Sequence, residues 1–343
     1  MDYRAFYEEL AQKKIASCYL FEGVEEYIKR SALAALRKKI LPAGLEDMNE
    51  ARLNDPDADE LIAAAETLPL MSEWRLVVVQ DSSMISGRAK DYDEGKNAAM
   101  LCEYLKHPPE STCIVFYTRD KADGRKKLVA QLKKTAQIVQ FNPLDERETT
   151  RWIAKQLKGM EKKIAPATCQ KLIFTAGSDL YTLSGEVEKL SACVGEREEI
   201  LPEDIDAICT KTTAYRVYDL SNTLLRGDAG KAFALLREMI RDGEEPLALL
   251  ALLQGECRRM LAVKILRGDG MQPDAIAAKI GVQSFAVRQI YQQVARYTER
   301  QLRDMAQCCM DTEYQVKSGQ MVTEGALEKT MLQLLRIRME GRA

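Results

Sequence analysis

The segment Gly23-Val24-Glu25-Glu26-Tyr27-Ile28-Lys29-Arg30-Ser31 follows the apolar run Cys18-Tyr19-Leu20-Phe21, where a nucleotide-binding α/β protein carries its phosphate loop. Phosphate chemistry there needs G-x-x-x-x-G-K-[ST], whose backbone amides and lysine neutralise the anion. Here there is no second glycine and no Lys-Ser/Thr pair, and Glu25 and Glu26 put negative charge where phosphate would sit. The spacing speaks against a nucleotide, and no other cofactor is implied. Asp81 ends a strand-like run as a magnesium-holding carboxylate would, but Ser82 follows it, and a lone Asp at such a point is ordinarily a turn residue. The single histidine, His107, precedes Pro108-Pro109, so any Ser/His, Cys/His or His-metal arrangement would depend on it alone. Glu198-Glu199 and Glu244-Glu245 lie beside turn signals, where solvated charge is the ordinary explanation. The basic clusters Arg125-Lys126-Lys127, Lys133-Lys134 and Arg258-Arg259 are short and lack the interleaved aromatics of a single-strand stacking platform. No catalytic or metal-ligating residue is assigned.

The residues that stand out for binding are Leu70 and Met71, in Thr67-Leu68-Pro69-Leu70-Met71-Ser72-Glu73-Trp74-Arg75. Upstream, Leu61, Ile62, Ala65 and Leu68 recur at helical spacing, and Pro69 ends that helix by restricting the residue before it. Downstream, Leu76-Val77-Val78-Val79 has the β-branched character of a strand covered on both faces. Two apolar side chains in the turn between them either staple the helix end onto the core or form an exposed anchor for a partner. The staple is the more ordinary arrangement. As an anchor, each side chain would contribute about 1.5–3 kcal/mol of burial, enough for a small hot spot.

The elements that must position these residues alternate. A helix over Tyr3 to Lys13 precedes a strand at Ser17 to Glu22 and a helix from Glu25 to Lys39. Further strands are expected near Met48 to Leu53, Leu76 to Gln80, Cys113 to Thr118 and Ile138 to Phe141. Helices between strands predict a doubly wound parallel sheet. From Asn142 onward the texture is helical. Asp145 with Glu148 forms a capping box, Gly177 ends the helix of Cys169, Leu172, Ile173 and Ala176, Ser178 is expected to cap the next, and Pro202 opens a short one. After Thr212 no strand is expected. Pro246 and Pro273 start helices, Ser284 and Thr298 are expected caps, and the apolar run Leu247 to Leu253 predicts the central helix of a bundle. The expected domains are an α/β domain at 1–140, a small helical domain at 141–210 and a helical domain at 211–343.

At 343 residues the chain has room for such domains. With 30% charged residues and a net charge of −2, no global basic field points to nucleic acid, so DNA contact would be local or shared with partners. Nine scattered cysteines without a C-x-x-C exclude a zinc ribbon and imply free thiols in a reducing compartment. No apolar run is long enough to span a bilayer, and a cytoplasmic protein without membrane partners is expected.

Several fragments, weak singly and specific in their order, carry a resemblance. They are Tyr19-Leu20-Phe21-Glu22-Gly23-Val24-Glu25, Thr67 to Met71 leading into Arg75-Leu76-Val77-Val78-Val79, and Gly177-Ser178-Asp179-Leu180 with Glu186-Val187-Glu188-Lys189-Leu190. Val217-Tyr218-Asp219-Leu220, Pro246-Leu247, and Asp311 with Lys317-Ser318-Gly319 complete the set. Together they resemble the delta subunit of the bacterial DNA polymerase III clamp loader. The resemblance implies an α/β plus all-α protein: an AAA+-like parallel-sheet domain without a working P-loop, a helical lid and a C-terminal helical collar. It implies a non-hydrolysing subunit that binds the sliding clamp (beta) through a hydrophobic pair at a helix end, here Leu70 and Met71, and opens the ring. The implied partners are the gamma/tau and delta-prime subunits, met through the collar, and primer-template DNA within the assembly. Catalysis would then belong to the DNA polymerase III holoenzyme and not to this chain. Family members can carry an aromatic residue at the second position, where Met71 stands. The rival is an ATP-hydrolysing AAA+ subunit, opposed by the missing phosphate loop and by the absence of a Ser-Arg-Cys motif and a zinc-binding cysteine cluster. A free-standing DNA-binding adaptor is opposed by the near-neutral charge.

Overall fold

The computed structural model describes residues 1–86, 94–323 and 325–340. They form two compact units, Met1–Leu144 and Asp145–Ala343.

The first unit runs α1 (Tyr3–Ala11), β1 (Cys18–Glu22), α2 (Glu26–Ile40), α3 (Glu46–Asn49), β2 (Glu50–Asn54), α4 (Ala58–Glu66), β3 (Arg75–Gln80), α5 (Glu94–Tyr104), β4 (Thr112–Tyr117), α6 (Lys127–Thr135) and β5 (Gln137–Gln140). The strands make one parallel sheet in the order β2-β3-β4-β1-β5. The register sets Leu20 against Phe116 and Ile138, and Val78 against Arg52 and Val115. β1 and β4 are buried along their whole length, as strands covered on both faces must be. Side chains alternate across β1. Cys18 and Leu20 join a core with Leu61, Val77, Val79, Ile114 and Phe116. Tyr19 and Phe21 turn to the other face, where Phe21 meets Phe6 edge-on at 5.2 Å and Phe141 at 5.1 Å.

Most expected bounds move by a residue or two, and two of these shifts have a local cause. The strand expected from Met48 begins at Glu50, because Glu46–Asn49 closes a helical turn first. The helix expected to reach Leu68 stops at Glu66, with Thr67 already extended. The residue before Pro69 is pushed out of helical geometry, and the break propagates back through the last turn.

The second unit is helical: α7 (Glu146–Gly159), α8 (Pro166–Ala176), α9 (Leu180–Cys193), α10 (Pro202–Ile208), α11 (Thr213–Arg226), α12 (Ala229–Arg241), α13 (Pro246–Gly268), α14 (Pro273–Ile280), α15 (Ser284–Gln293), α16 (Glu299–Lys317) and α17 (Ala326–Glu340). A two-residue parallel pair, β6 (Lys163–Ile164) with β7 (Glu199–Ile200), lies among the first of these and is too short to leave a period in the sequence. The capping box at Asp145 and Glu148 is present, as is one at Thr298 and Gln301. Two caps fall elsewhere than expected. Asp179, not Ser178, caps α9, its carboxylate accepting from the Thr182 amide and hydroxyl. Gln283 precedes α15 without a side-chain cap, and Ser284 is its first helical residue. α13 is the central helix, packed against α11, α14, α15, α16 and α17. It buries Leu249, Leu250, Leu253, Cys257, Met260 and Val263 and leaves Leu252 on an exposed face.

Candidate functional site

The connection between α4 and β3 is built from its two ends inward. Asp57 caps α4 by accepting from the Glu60 amide at 2.8 Å, and Leu61 and Ala65 anchor the helix on the sheet. At the other end three of the last carbonyls receive side-chain donors. Thr67 Oγ1 donates to Ala63 O at 2.9 Å, Arg75 Nε to Ala64 O at 2.7 Å, and Thr112 Oγ1 to Ala65 O at 2.9 Å. A helix end whose carbonyls are satisfied in this way does not fray, so the residues after it leave from a fixed point.

Within the loop, residues 67–74, Leu68, Leu70 and Met71 face outward, while Pro69 and Trp74 are half-buried. Leu68 is 80% exposed, Leu70 53% and Met71 82%. The pair is therefore not a core staple. The loop backbone is nevertheless held. Asn49, wholly buried, accepts from the Leu70 amide at 2.7 Å and donates to the Leu70 carbonyl at 3.0 Å and to the Leu45 carbonyl at 3.0 Å. Met71 takes a left-handed backbone with φ of 51°, unusual for a residue with a side chain. Such a conformation persists only where its surroundings over-determine it. Ser72 Oγ adds a local clasp, donating to Trp74 O at 2.9 Å and accepting from the Trp74 amide at 3.2 Å. Arg75 Nη1 also reaches Met48 O at 3.3 Å, which brings the exposed side chain of Met48 into the same neighbourhood. The apolar character of Leu70 and Met71 is legible in the sequence, but their outward direction is not. Nor is Asn49, since it precedes an edge strand and nothing in its spacing marks it as buried.

The loop after β1 is filled by protein groups. The Phe141 carbonyl accepts from the Glu25 amide at 3.0 Å, and the Phe141 amide donates to Glu22 O at 2.8 Å. Gly23 has φ of +121°, and a Cβ there would lie 2.3 Å from Phe141 O. Lys29, the cation a phosphate would want, is fully buried and turned inward, its Nζ donating to Gly23 O at 2.6 Å and Thr118 O at 2.7 Å. Burial lowers its pKa, opposed by Glu26, whose carboxylate is 3.2 Å away. Glu26 in turn accepts from the Tyr117 hydroxyl at 2.6 Å.

The remaining sequence candidates are scattered over unrelated surfaces. His107 is exposed, and Asp81 lies 3.9 Å from Arg119 with half its side chain in solvent. Arg125 pairs with Asp123 and holds that carboxyl down to about 2, while Lys126 donates to Ser83 O. Arg259 pairs with buried Glu256, Glu198 with Lys163, and Glu244 accepts from Thr213. Among the described residues no cluster of His, Cys, Asp and Glu could hold a metal, and no helix is long and apolar enough to cross a membrane.

A five-stranded parallel sheet followed by a long helical region defines an α/β plus all-α protein. A family model for the DNA polymerase III delta subunit matches residues 19–142, and one for the C-terminal domain of that subunit matches residues 214–334. The chain belongs to the DNA polymerase III delta subunit family, the clamp loader deltas. It is similar to the DNA polymerase III subunit delta of Bacillus subtilis (strain 168), 26% identical over 333 residues that cover 96% of each chain. It is also similar to the subunit delta of Escherichia coli (strain K12), 24% identical over 189 residues, 55% of this chain and 54% of that one. Among solved structures, the Bacillus subtilis DNA clamp loader delta protein matches with a TM-score of 0.58 and 25% identity, covering 97% of this chain and 99% of that one.

Proposed function

We propose that this chain binds the sliding clamp through Leu70 and Met71 and opens the ring without hydrolysing nucleotide itself. The observation that carries the proposal is the pairing of outward apolar side chains with an immobilised backbone in the 67–74 loop. Leu68, Leu70 and Met71 are grouped on one loop with most of their surface in solvent, which leaves them available to a partner's pocket. A ligand shifts a closed-to-open equilibrium only by its differential affinity for the two states, so the wedge must bind the clamp more tightly when an adjacent ring interface is sprung.

The non-hydrolysing part is supported by the loop after β1, whose amide at Glu25 and cation at Lys29 are engaged with Phe141, Gly23 and Thr118. A phosphate would have to displace all of these. In this reading the α/β part, residues 1–140, contacts the clamp. The helices of 141–210 act as a lid, and those of 211–343 as a collar that joins the gamma/tau and delta-prime subunits around primer-template DNA in the cytoplasm. ATP bound by those partners would drive the cycle.

The test is binding of the purified chain to its cognate clamp, for wild type and a Leu70→Ala/Met71→Ala variant whose folding is checked by thermal melting. Loss of at least about 2 kcal/mol in the folded variant is expected for a hot spot. Equal binding by both proteins would put the contact elsewhere. A parallel titration with ATP and magnesium should show no saturable binding by this chain alone, and micromolar binding would favour the ATP-hydrolysing alternative.

A further inference from the structure

We propose that Asn49 is the positioning residue of the clamp-contact loop, and that it presents Leu70 and Met71 in a single, binding-ready geometry. The inference rests on the wedge reading above and adds to it a residue that does not touch the clamp.

Asn49 closes α3 at the margin of the sheet, and none of its side chain is exposed. One primary amide engages both backbone groups of one residue. Oδ1 accepts from Leu70 N, while Nδ2 donates to Leu70 O and also to Leu45 O. Fixing the amide and the carbonyl of Leu70 together fixes the plane of the chain on either side, and so the direction in which its side chain leaves. The neighbour then has little choice. Met71 sits at φ of 51°, a conformation that an L-residue in a free loop leaves readily. The clamp on Leu70, the Ser72–Trp74 clasp and the Arg75 contacts to Ala64 and Met48 hold it there from both sides.

The chemistry of the position is narrow. Aspartate would keep the acceptor for Leu70 N but lose both donations, and it would leave a buried charge against two carbonyl oxygens. Leucine would fill the space and satisfy none of the three groups. Glutamine would carry the amide one methylene too far. Only a primary amide at this reach serves Leu70 N, Leu70 O and Leu45 O at once. The gain is preorganisation, because a loop already held in its bound shape loses no further freedom on association. Ordering one residue costs enough for about a tenfold change in an equilibrium constant.

The experiment uses the full chain and its cognate clamp, with two readouts. Affinity is measured by surface binding kinetics for wild type, Asn49→Ala, Leu70→Ala/Met71→Ala and the triple variant. Amide hydrogen exchange is followed at Leu70 and along β2 and β3 in each unbound protein. The expected result is a loss of about tenfold or more in Asn49→Ala, and less than a twofold further loss when the same change is added to the Leu70/Met71 variant. The Leu70 amide should be protected in wild type and unprotected in Asn49→Ala, with the amides of β2 and β3 still protected. A purely structural role would not produce that non-additivity. Wild-type affinity in Asn49→Ala overturns the proposal, as does an equal loss in both backgrounds. If Asn49→Ala does not fold, wild-type exchange decides: a Leu70 amide that exchanges as fast as an open loop amide overturns the proposal, and a protected one supports it. Should Leu70→Ala/Met71→Ala leave binding intact, the wedge reading falls and the presenting role falls with it, while Leu70 exchange still reports whether Asn49 holds the loop.

Discussion

Replacing Met71 by glycine should move stability and clamp binding in opposite directions. Met71 occupies the left-handed region with φ of 51° and keeps 82% of its surface in solvent. An L-residue pays about 1–2 kcal/mol for that backbone, whereas glycine pays almost nothing. Against this, glycine gives the unfolded chain extra freedom worth about 0.5–1 kcal/mol. The side chain touches little of its own protein, so its removal costs little burial. The net expectation for Met71→Gly in the free chain is a stability between unchanged and about 1.5 kcal/mol higher. Met71→Ala keeps the backbone strain and should remain within about 0.5 kcal/mol of wild type. For the clamp complex the sign reverses. Both variants lose a methionine that would bury about 1.5–3 kcal/mol of apolar surface, which corresponds to roughly 10- to 150-fold in affinity. Urea denaturation of the three proteins reads the first effect and surface binding to immobilised clamp the second. Destabilisation of Met71→Gly by more than about 1 kcal/mol would refute the left-handed backbone. Wild-type affinity in both variants would refute the contact.

Three further outcomes follow from other parts of the molecule. Gly23→Ala should destabilise by at least about 3 kcal/mol or prevent folding, since its Cβ meets a backbone oxygen at 2.3 Å in a conformation closed to alanine; a melting temperature within a few degrees of wild type would contradict this. Lys29→Ala removes two charge-assisted bonds to Gly23 O and Thr118 O and opens a buried space, so a loss of about 3 kcal/mol in urea denaturation is expected. Equal stability of that variant would mean that recovered desolvation offsets the lost bonds and the space opened. At alkaline pH the protein should weaken, because burial pushes the Cys18, Cys169 and Cys209 thiols and the Tyr19 phenol up to about 12. These groups stay neutral in the folded chain while the unfolded chain ionises near 9.0 for thiols and 10.0 for tyrosine, so their contribution is intact below those values and is lost as pH rises toward 12. Each contributes a slope of about 1.4 kcal/mol per pH unit within its window, and the lowered pKa of Lys29 acts the other way. Thermal melts across that range should show a steadily falling midpoint, and a flat profile would contradict the burial of these groups.

Much of the architecture can be read along the chain because it is encoded by neighbours. The alternation of strands and helices through residue 141, the caps at Asp145 and Thr298, and the proline starts at Pro246 and Pro273 depend on residues within one turn of each other. Where two adjacent residues can both cap, as at Ser178 and Asp179, local chemistry does not choose; the carboxylate won by serving both the amide and the hydroxyl of Thr182. The absence of a phosphate-loop pattern is likewise a fact of sequence, as is the apolar character of Leu70 and Met71. What the sequence by itself left open is direction. Whether that pair turns inward or outward is decided by Asn49, which lies 21 residues away and becomes a neighbour of Leu70 only after β2 and β3 pair. The inward turn of Lys29 depends on the Thr118 carbonyl, 89 residues on, brought close by the pairing of β1 with β4. Both outcomes rest on hydrogen bonds between distant segments. Side-chain type can announce such bonds only as a capacity to donate or accept, and folding determines which partner stands within 3 Å.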